Sequence, residues 1–275
     1  MIVFAHGIGC GHENYIKEIL WLVDHGWCVL AYDATGSCES EGSGTRGLVQ
    51  SALDLKSAIQ YAINEPRFEN FPICVMGHSW GGYAAAAVLS FSFARPITAS
   101  VSISGYNDPM DMMMRYAKAT MGKAVALLYP LVWVNQKILF GKSSALTAVD
   151  GINAKNTPVL VLHGKEDELV YLDITSVARC KKEITNPNAK IHIIDWKGQC
   201  GHGSIFRDET STAYVDEINV SYREAEEKNG NQFSDMERIA FFDSVNKALY
   251  NKPNEKLLSE IDLFFDKAVK DAKDG

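Results

Sequence analysis

Short apolar runs alternate along the chain with stretches in which apolar residues recur every third or fourth position. Short apolar runs bounded by glycine, proline or charged residues are typical of buried parallel strands, and the wider spacing is typical of amphipathic helices. The predicted strands are residues 1–5, 27–32, 73–76, 99–104, 157–163 and 190–195. The predicted helices are residues 15–26, 45–64, 83–89, 171–184, 234–249 and 253–273. This alternation predicts an α/β fold with a mostly parallel, doubly wound sheet.

Two segments depart from the alternation. Residues 107–156 are helical in character and rich in methionine, and we expect them to form a helical lid that lines an apolar pocket, or else additional scaffold. Their longest apolar run is too short to span a bilayer, so no membrane span is predicted. Residues 1–106 and 157–275 would then form the core, with a helical excursion at about 204–250.

One serine lies at a strand-to-helix turn. Ser79 is the centre of the sequence GHSWG at residues 77–81, which follows the buried strand at 73–76 and precedes an alanine-rich helix. A turn this tight leaves no room for side chains beside the serine, which explains glycine at positions 77 and 81. This context favours a nucleophilic serine over an incidental one.

Four loops at strand ends together resemble those of the α/β-hydrolase family. The sequences are HGIG at residues 6–9, GHSWG at 77–81, HGKED at 163–167 and GHG at 201–203. In the family they correspond to the oxyanion loop, nucleophile elbow, acid loop and histidine loop, and the order Ser, Asp, His agrees. The resemblance implies a serine hydrolase fold over nearly the whole chain and is weakly informative about the substrate.

The resemblance assigns roles to individual residues. His202 is expected to be the general base for Ser79, and Asp167 to orient the imidazole and stabilise its charged form. Glu166 and Asp108 are alternatives for the acid. The backbone N–H groups of Ile8 and Trp80 are expected to form the oxyanion hole. Independently of the resemblance, the methionine-rich insertion is expected to line the substrate pocket through Met113, Met114 and Trp133.

The N-terminal region departs from the family. The family usually has two further strands before the strand that carries the His-Gly motif, whereas here that strand begins at Ile2. We expect either a shortened version of the fold or a missing N-terminal segment. In the latter case the strand at 27–32 would be an exposed sheet edge and a possible homodimer surface.

The composition limits the classes of binding partner and the cellular compartment that are expected for this protein. The chain has 275 residues and a formal charge of −7, and its basic residues are scattered, which argues against nucleic acid. Its six cysteines contain no Cys-x-x-Cys pair, so a reducing, cytoplasmic setting is expected. No metal-ligand cluster, phosphate-binding loop or dinucleotide motif occurs in the sequence, so neither a metal nor a cofactor is implied.

These features predict a serine hydrolase that forms an acyl-enzyme. The methionine-rich insertion favours a small-molecule carboxylic ester with an apolar acyl or aryl group. A peptidase, amidase or thioesterase acting on a peptide-like or thioester substrate would use the same residues. A binding protein of the same fold without catalytic activity is the alternative from a different class.

Overall fold

A six-stranded, entirely parallel sheet forms the centre of the protein. The computed structural model describes residues 1–230 and 233–274. The strand order is β2-β1-β3-β4-β5-β6, which confirms the predicted α/β class and a parallel sheet. The strands are β1 (Ile2–Ala5), β2 (Val29–Ala31), β3 (Ile73–His78), β4 (Ile97–Ile103), β5 (Val159–Gly164) and β6 (Ala189–Ile194).

Helices connect the strands and cover both faces of the sheet. The helices of the first half are α1 (Ile16–Asp24), α2 (Gln50–Asn64), α3 (Trp80–Ala87), α4 (Pro109–Met121), α5 (Tyr129–Phe140) and α6 (Ala148–Ala154). Those of the second half are α7 (Glu209–Lys228), α8 (Asp235–Ser244), α9 (Lys247–Tyr250) and α10 (Glu255–Asp274).

Alternate strand residues build two separate hydrophobic cores. Val3 of β1 points into a core that α2, α3 and α6 cover, whereas its neighbours Ile2 and Phe4 point into a core that α1 and α10 cover. This follows from the two-residue period of a strand, and it explains why the strands are apolar at nearly every position. Helices on both faces make the sheet doubly wound.

The connection between β4 and β5 carries the interrupting segment. We call residues 109–146 the cap, because they form α4, α5 and two 3-10 turns between β4 and α6. Asp108 begins α4 as its N-cap, where its side chain accepts hydrogen bonds from the N–H groups of Met110 and Asp111. The segment is helical, as its composition predicts.

The prediction of a helix at residues 171–184 is wrong. Apart from a 3-10 turn at Ala178–Cys180, this stretch consists of turns and irregular structure. Its backbone pairs with the loop after β4: Asn107 N–H donates to Thr175 O, and Val177 N–H donates to Gly105 O. These long-range hydrogen bonds occupy backbone groups that a helix would have used internally.

Two other helices are shorter than predicted. The helix expected from residue 45 begins at Gln50, because the preceding loop holds the Leu48 carbonyl against the indole N–H of Trp80, at 2.7 Å. The helix expected at 234–249 ends at Ser244 after a capping box at Ser234. An extended Val245 separates it from α9.

The sheet has β2 at one edge and β6 at the other. β2 contains three residues, all half-buried, and pairs only with β1 among the described strands. A strand this short offers few unpaired backbone groups to a neighbouring chain.

Candidate active site

Ser79 occupies a strained turn between β3 and α3. Its backbone has φ 57° and ψ −111°, in the region that favours glycine, and its N–H donates to Ile103 O at 2.8 Å. A Cβ at Gly77 would collide with the Gly81 carbonyl, and a Cβ at Gly81 would collide with the Ala5 carbonyl. The glycines therefore allow the close packing that holds the serine in this conformation.

His202 and Asp167 form a buried hydrogen-bonded pair. They lie in the loops after β6 and β5, and His202 Nδ1 is 2.8 Å from Asp167 Oδ2 and 2.9 Å from Oδ1. Asp167 is 4% exposed and also accepts the N–H groups of Leu169 and Val170. The pair leaves the other ring nitrogen, Nε2, available for proton transfer.

The Asp167 carboxyl is held in its charged form. Burial raises its pKa, but the hydrogen bond and charge of His202, with the Val170 N–H, outweigh burial and hold the pKa below its usual value. The carboxylate of Asp108, the alternative acid, caps the N-terminus of α4. Glu166 makes no hydrogen bond to His202 among the described residues.

Ser79 and His202 line the same cavity. The structure contains no hydrogen bond between Ser79 Oγ and His202 Nε2 within the described chain. Contacts of this kind are often long without substrate and tighten in the Michaelis complex. What the structure brings together is therefore the His202–Asp167 pair and a serine beside it in one cavity.

Ile8 and Trp80 line the large cavity together with Ser79. Ile8 lies in the loop after β1, and Trp80 is the first residue of α3, where the backbone N–H groups of a helix lack internal partners. Neither N–H donates to an acceptor in the part of the chain that the structure describes. Two free donors beside a serine can stabilise an oxyanion.

A buried chain of hydrogen bonds connects the oxyanion loop to the histidine loop. Gly7 N–H donates to Tyr15 Oη at 3.1 Å, and Tyr15 Oη lies 2.8 Å from His78 Nδ1. His78 Nε2 donates to the His202 carbonyl at 3.0 Å. Because a carbonyl only accepts, Nε2 carries the proton and Tyr15 must donate to Nδ1.

His78 is neutral within this network. Burial, together with the neighbouring charge of His202, lowers the pKa of His78 to about 3. The sequence analysis missed Tyr15, because a tyrosine at the beginning of a helix has no distinctive pattern. It also missed Glu168, whose carboxylate accepts the backbone N–H of His202 at 2.9 Å.

Two cavities of different character meet at Ser79. The large cavity has a volume of about 780 Å³ and a mostly apolar wall, in which Arg46 is the one charged side chain. The small cavity has a volume of about 360 Å³ and contains His202. Both share Ile8, Ser79 and Leu169.

The small cavity contains polar groups. Its charged side chains are Lys17, Glu18 and Arg207, and Asn14 adds an amide. Glu18 is 4% exposed, and burial raises its pKa although Lys17 and Arg207 oppose the shift. No other described residue donates a hydrogen bond to its carboxyl, so this group is available to a ligand.

The three predicted pocket residues lie in different places. Met113 lines the large cavity, but Met114 faces a separate cavity with Arg115 and Tyr171. Helical geometry is the reason, since the large cavity meets the face of α4 that carries positions 112, 113, 116, 117, 120 and 121. Trp133 lies on α5, is 48% exposed and lines neither cavity at Ser79. The prediction that Met114 and Trp133 line the substrate pocket is therefore wrong.

This sheet, with a strained serine at the end of a central strand, defines the class of α/β hydrolases. Residues 1–150 match the family model described as serine aminopeptidase, S33, and the chain belongs to this family of α/β-hydrolase enzymes. The predicted family and hydrolase class are thereby confirmed.

Solved structures with a similar fold include esterases and a lipase. An esterase from Pyrococcus furiosus has a TM-score of 0.55 and 21% identity, covering 82% of this chain and 81% of that one. A monoacylglycerol lipase from Paleococcus ferrophilus has a TM-score of 0.52 and 20% identity, covering 80% and 92%. An esterase from Exiguobacterium antarcticum has a TM-score of 0.51 and 16% identity, covering 80% of this chain and 90% of that one. At these identities the likeness concerns the fold alone. Comparison with curated protein sequences finds no match.

Proposed function

We propose that this hydrolase cleaves carboxylic esters with an apolar acyl group, with Ser79 as nucleophile, His202 as base and Asp167 as the orienting acid. The observation that carries the proposal is the position of Ser79 at the meeting point of an apolar cavity and a polar cavity that contains His202. Backbone donors at Ile8 and Trp80 supply the oxyanion hole.

The reaction proceeds through an acyl-enzyme. His202 Nε2 takes the proton of Ser79 Oγ as the oxygen attacks the ester carbonyl carbon, and the displaced electron pair moves to the carbonyl oxygen. Collapse of this tetrahedral intermediate breaks the bond to the alcohol oxygen, which receives the proton from His202. Water then attacks the acyl-enzyme with His202 again as base, and releases the acid and Ser79.

The position of His202 supports one orientation of the substrate. His202 must return its proton to the leaving oxygen, and it lines the small cavity and not the large one. The alcohol therefore belongs in the small cavity, beside Glu18, and the acyl chain in the large cavity. An alcohol that carries further hydroxyl or ammonium donors suits the buried carboxyl of Glu18.

The same geometry favours an ester over an aminopeptidase substrate. An aminopeptidase holds the free ammonium group on the acyl side of the scissile bond, where a carboxylate is needed to pair with it. The residues that line the large cavity include no Asp or Glu. Amide and thioester substrates remain the alternatives that use the same catalytic groups.

A substrate panel with a matched serine variant tests the proposal. We expect a fluorophosphonate probe to label the wild type and Ser104→Ala but not Ser79→Ala. Ser104 is the matched control because it is a buried serine with positive φ, 48°, at the end of the neighbouring strand. Aryl esters of increasing chain length should be hydrolysed faster than aminoacyl anilides or acyl thioesters.

Two results would contradict the proposal. Absence of labelling in a folded wild type would indicate a binding protein of this fold, and faster cleavage of aminoacyl anilides than of esters would indicate an aminopeptidase.

The compartment is a separate proposal: all six cysteines are free thiols in the structure, which supports a reducing environment such as the cytoplasm.

A further inference from the structure

Helix α5 of the cap exposes several of its large apolar side chains, and the residue that it buries most deeply is polar. Its buried residue is Gln136, 7% exposed, whose side-chain amide donates to Arg46 O at 3.2 Å. Leu131 and Ile138, in contrast, are 68% and 76% exposed. A surface helix of a globular protein normally has the opposite arrangement.

Exposed apolar side chains are concentrated in residues 116–139 of the cap. Ten of the 24 large hydrophobic side chains that are exposed in the described chain lie between residues 116 and 139. They are Tyr116, Met121, Leu127, Leu128, Tyr129, Leu131, Trp133, Val134, Ile138 and Leu139. We call this set the apolar face of the cap. Large apolar patches of this kind mark interaction surfaces.

The charge of this segment is opposite to that of the whole protein. Residues 112–149 contain no acidic side chain, although the chain has 34 acidic and 27 basic residues. The basic residues in this segment are Arg115, Lys118, Lys123, Lys137 and Lys142. Basic and apolar groups therefore occur together in this segment, which itself contributes no acidic group that would repel an anionic surface.

We propose that the apolar face of the cap docks on the surface of a bilayer that contains anionic lipids. Exposed leucine and isoleucine would enter the outer acyl region, Tyr129 and Trp133 would lie at headgroup level, and the lysines would contact lipid phosphates. A protein partner fits this composition less well, because the cores of protein interfaces are depleted in lysine.

The face is arranged to lie on the bilayer and not to cross it. By length and composition Lys123–Ala154 is long and apolar enough to cross a membrane, and 11% of its most apolar window is buried. The stretch is divided, however, because α5 ends at Gly141, whose φ of 54° stops the helix, and a 3-10 turn follows. A transmembrane span would leave the freed backbone groups unpaired in lipid.

The docked position would connect the bilayer with the large cavity. Tyr116 and Met121 belong to the apolar face, 63% and 70% exposed, and also line the large cavity beside Ser79. These two side chains would thus connect the docked face with the cavity that we assign to the acyl chain. The docking itself does not depend on the proposed catalytic activity.

Sedimentation with lipid vesicles tests the proposal on the intact protein. The wild type should bind vesicles of phosphatidylcholine with phosphatidylglycerol more tightly than vesicles of phosphatidylcholine alone, and added salt should weaken the binding. The double variant Leu131→Asn/Ile138→Asn should bind at least about tenfold more weakly, because two apolar side chains that would insert into the bilayer are lost. Replacing Lys123 or Lys142 with glutamine should weaken binding about fivefold each.

A matched control separates this face from general surface hydrophobicity. Leu263 on α10 and Ile239 on α8 are 68% and 62% exposed. These exposed fractions are similar to those of Leu131 and Ile138. The double variant Leu263→Asn/Ile239→Asn should bind vesicles like the wild type. An equal loss in both double variants, or equal binding to neutral vesicles, would contradict the proposal.

A second copy of the chain is the competing occupant. Light scattering after gel filtration should give the wild type and Leu131→Asn/Ile138→Asn the same mass. If the wild type is a dimer that this variant converts to a monomer, and no vesicle binding occurs, the face is a dimer interface and the proposal is wrong. Should the double variant fail to fold, the two lysine variants measure the same interaction.

Discussion

Ser79 shows how much of the proposed chemistry depends on the position of a single residue. The turn between β3 and α3 sets its backbone strain and places the Trp80 N–H next to it, while the loops after β1, β5 and β6 bring Ile8, Asp167 and His202 to the same end of the sheet. Strained backbone persists only where the surrounding structure determines it, and here close packing at two glycines does so.

The role of Asp167 is testable by an amide substitution. Asp167→Asn should lower kcat by about 10⁴-fold, because the amide cannot stabilise the protonated imidazole and favours the wrong tautomer. Asp108→Asn is the matched control, since asparagine also caps helices and Asp108 caps α4. The rate of ester hydrolysis by the two variants tests this assignment. A larger loss of kcat in Asp108→Asn would show that Asp108, and not Asp167, is the acid that orients His202.

Tyr15 is expected to position the oxyanion loop. Tyr15→Phe removes the partner of both Gly7 N–H and His78 Nδ1, so the loop that carries the Ile8 amide loses its anchor. We expect kcat to fall about tenfold with little change in KM, and unfolding to become about 1–3 kcal/mol easier.

Tyr83→Phe is the control for this effect. Its hydroxyl donates to Leu146 O at 2.8 Å in a partly buried hydrogen bond, and neither residue lines the two cavities at Ser79, so the variant loses a hydrogen bond without altering the cavity walls. Steady-state kinetics should show an unchanged kcat for Tyr83→Phe. An equal fall in both variants would mean that Tyr15 acts through stability alone.

At the scale of elements, α4 separates two environments. One face lines the large cavity, and another carries Met114 toward a different cavity. The methionine-rich composition indicated an apolar pocket, but only the rotation of the helix determines which methionines line it.

This rotation predicts an effect on acyl selectivity. Met113→Ala should lower kcat/KM for the preferred acyl chain about fivefold and shift the preference to longer chains, because a side chain of the cavity wall is lost. Met110, also half-buried on α4, lines none of the cavities described above, so Met110→Ala should keep the wild-type profile. A series of acyl esters measures both, and identical profiles in the two variants would exclude the large cavity as acyl site.

At the scale of the whole molecule, the sheet assembles the site from distant parts of the chain. Parallel strands place their carboxyl ends at one edge, so the loops after β1, β3, β5 and β6 meet there. The buried groups that this assembly requires also make the stability of the protein dependent on pH.

His78 should make the fold sensitive to acid. The pKa of His78 is about 3 in the folded state and 6.5 in the unfolded state, so below pH 6.5 only the unfolded chain takes up the proton. Between pH 7 and 5 the wild type should therefore lose about 2 kcal/mol of stability more than His78→Gln. The lowered pKa of Asp167 acts at more acidic pH, since its stabilising effect is lost only as pH falls below about 3.8.

Urea unfolding at a series of pH values measures this difference. His163 retains its own lowered pKa in both proteins, so its contribution cancels in the comparison. Parallel pH profiles for the wild type and His78→Gln would contradict the assignment of a neutral, buried His78.

The sequence alone determined the strands, the fold class and the residues proposed for catalysis. These features are encoded locally: a buried parallel strand is an apolar run, and a tight turn requires glycines next to the serine at 79. Local patterns failed at residues 171–184, where backbone hydrogen bonds to a distant loop replaced the predicted helix.

Only the tertiary structure decided which groups share a surface. It placed Met113 but not Met114 on the wall of the large cavity, joined Tyr15 to His78, and left large apolar side chains of α5 exposed while burying Gln136. Each of these depends on how elements rotate and pack against parts of the chain far away in sequence. Periodicity indicates that a helix has an apolar face, but what that face contacts is decided by packing.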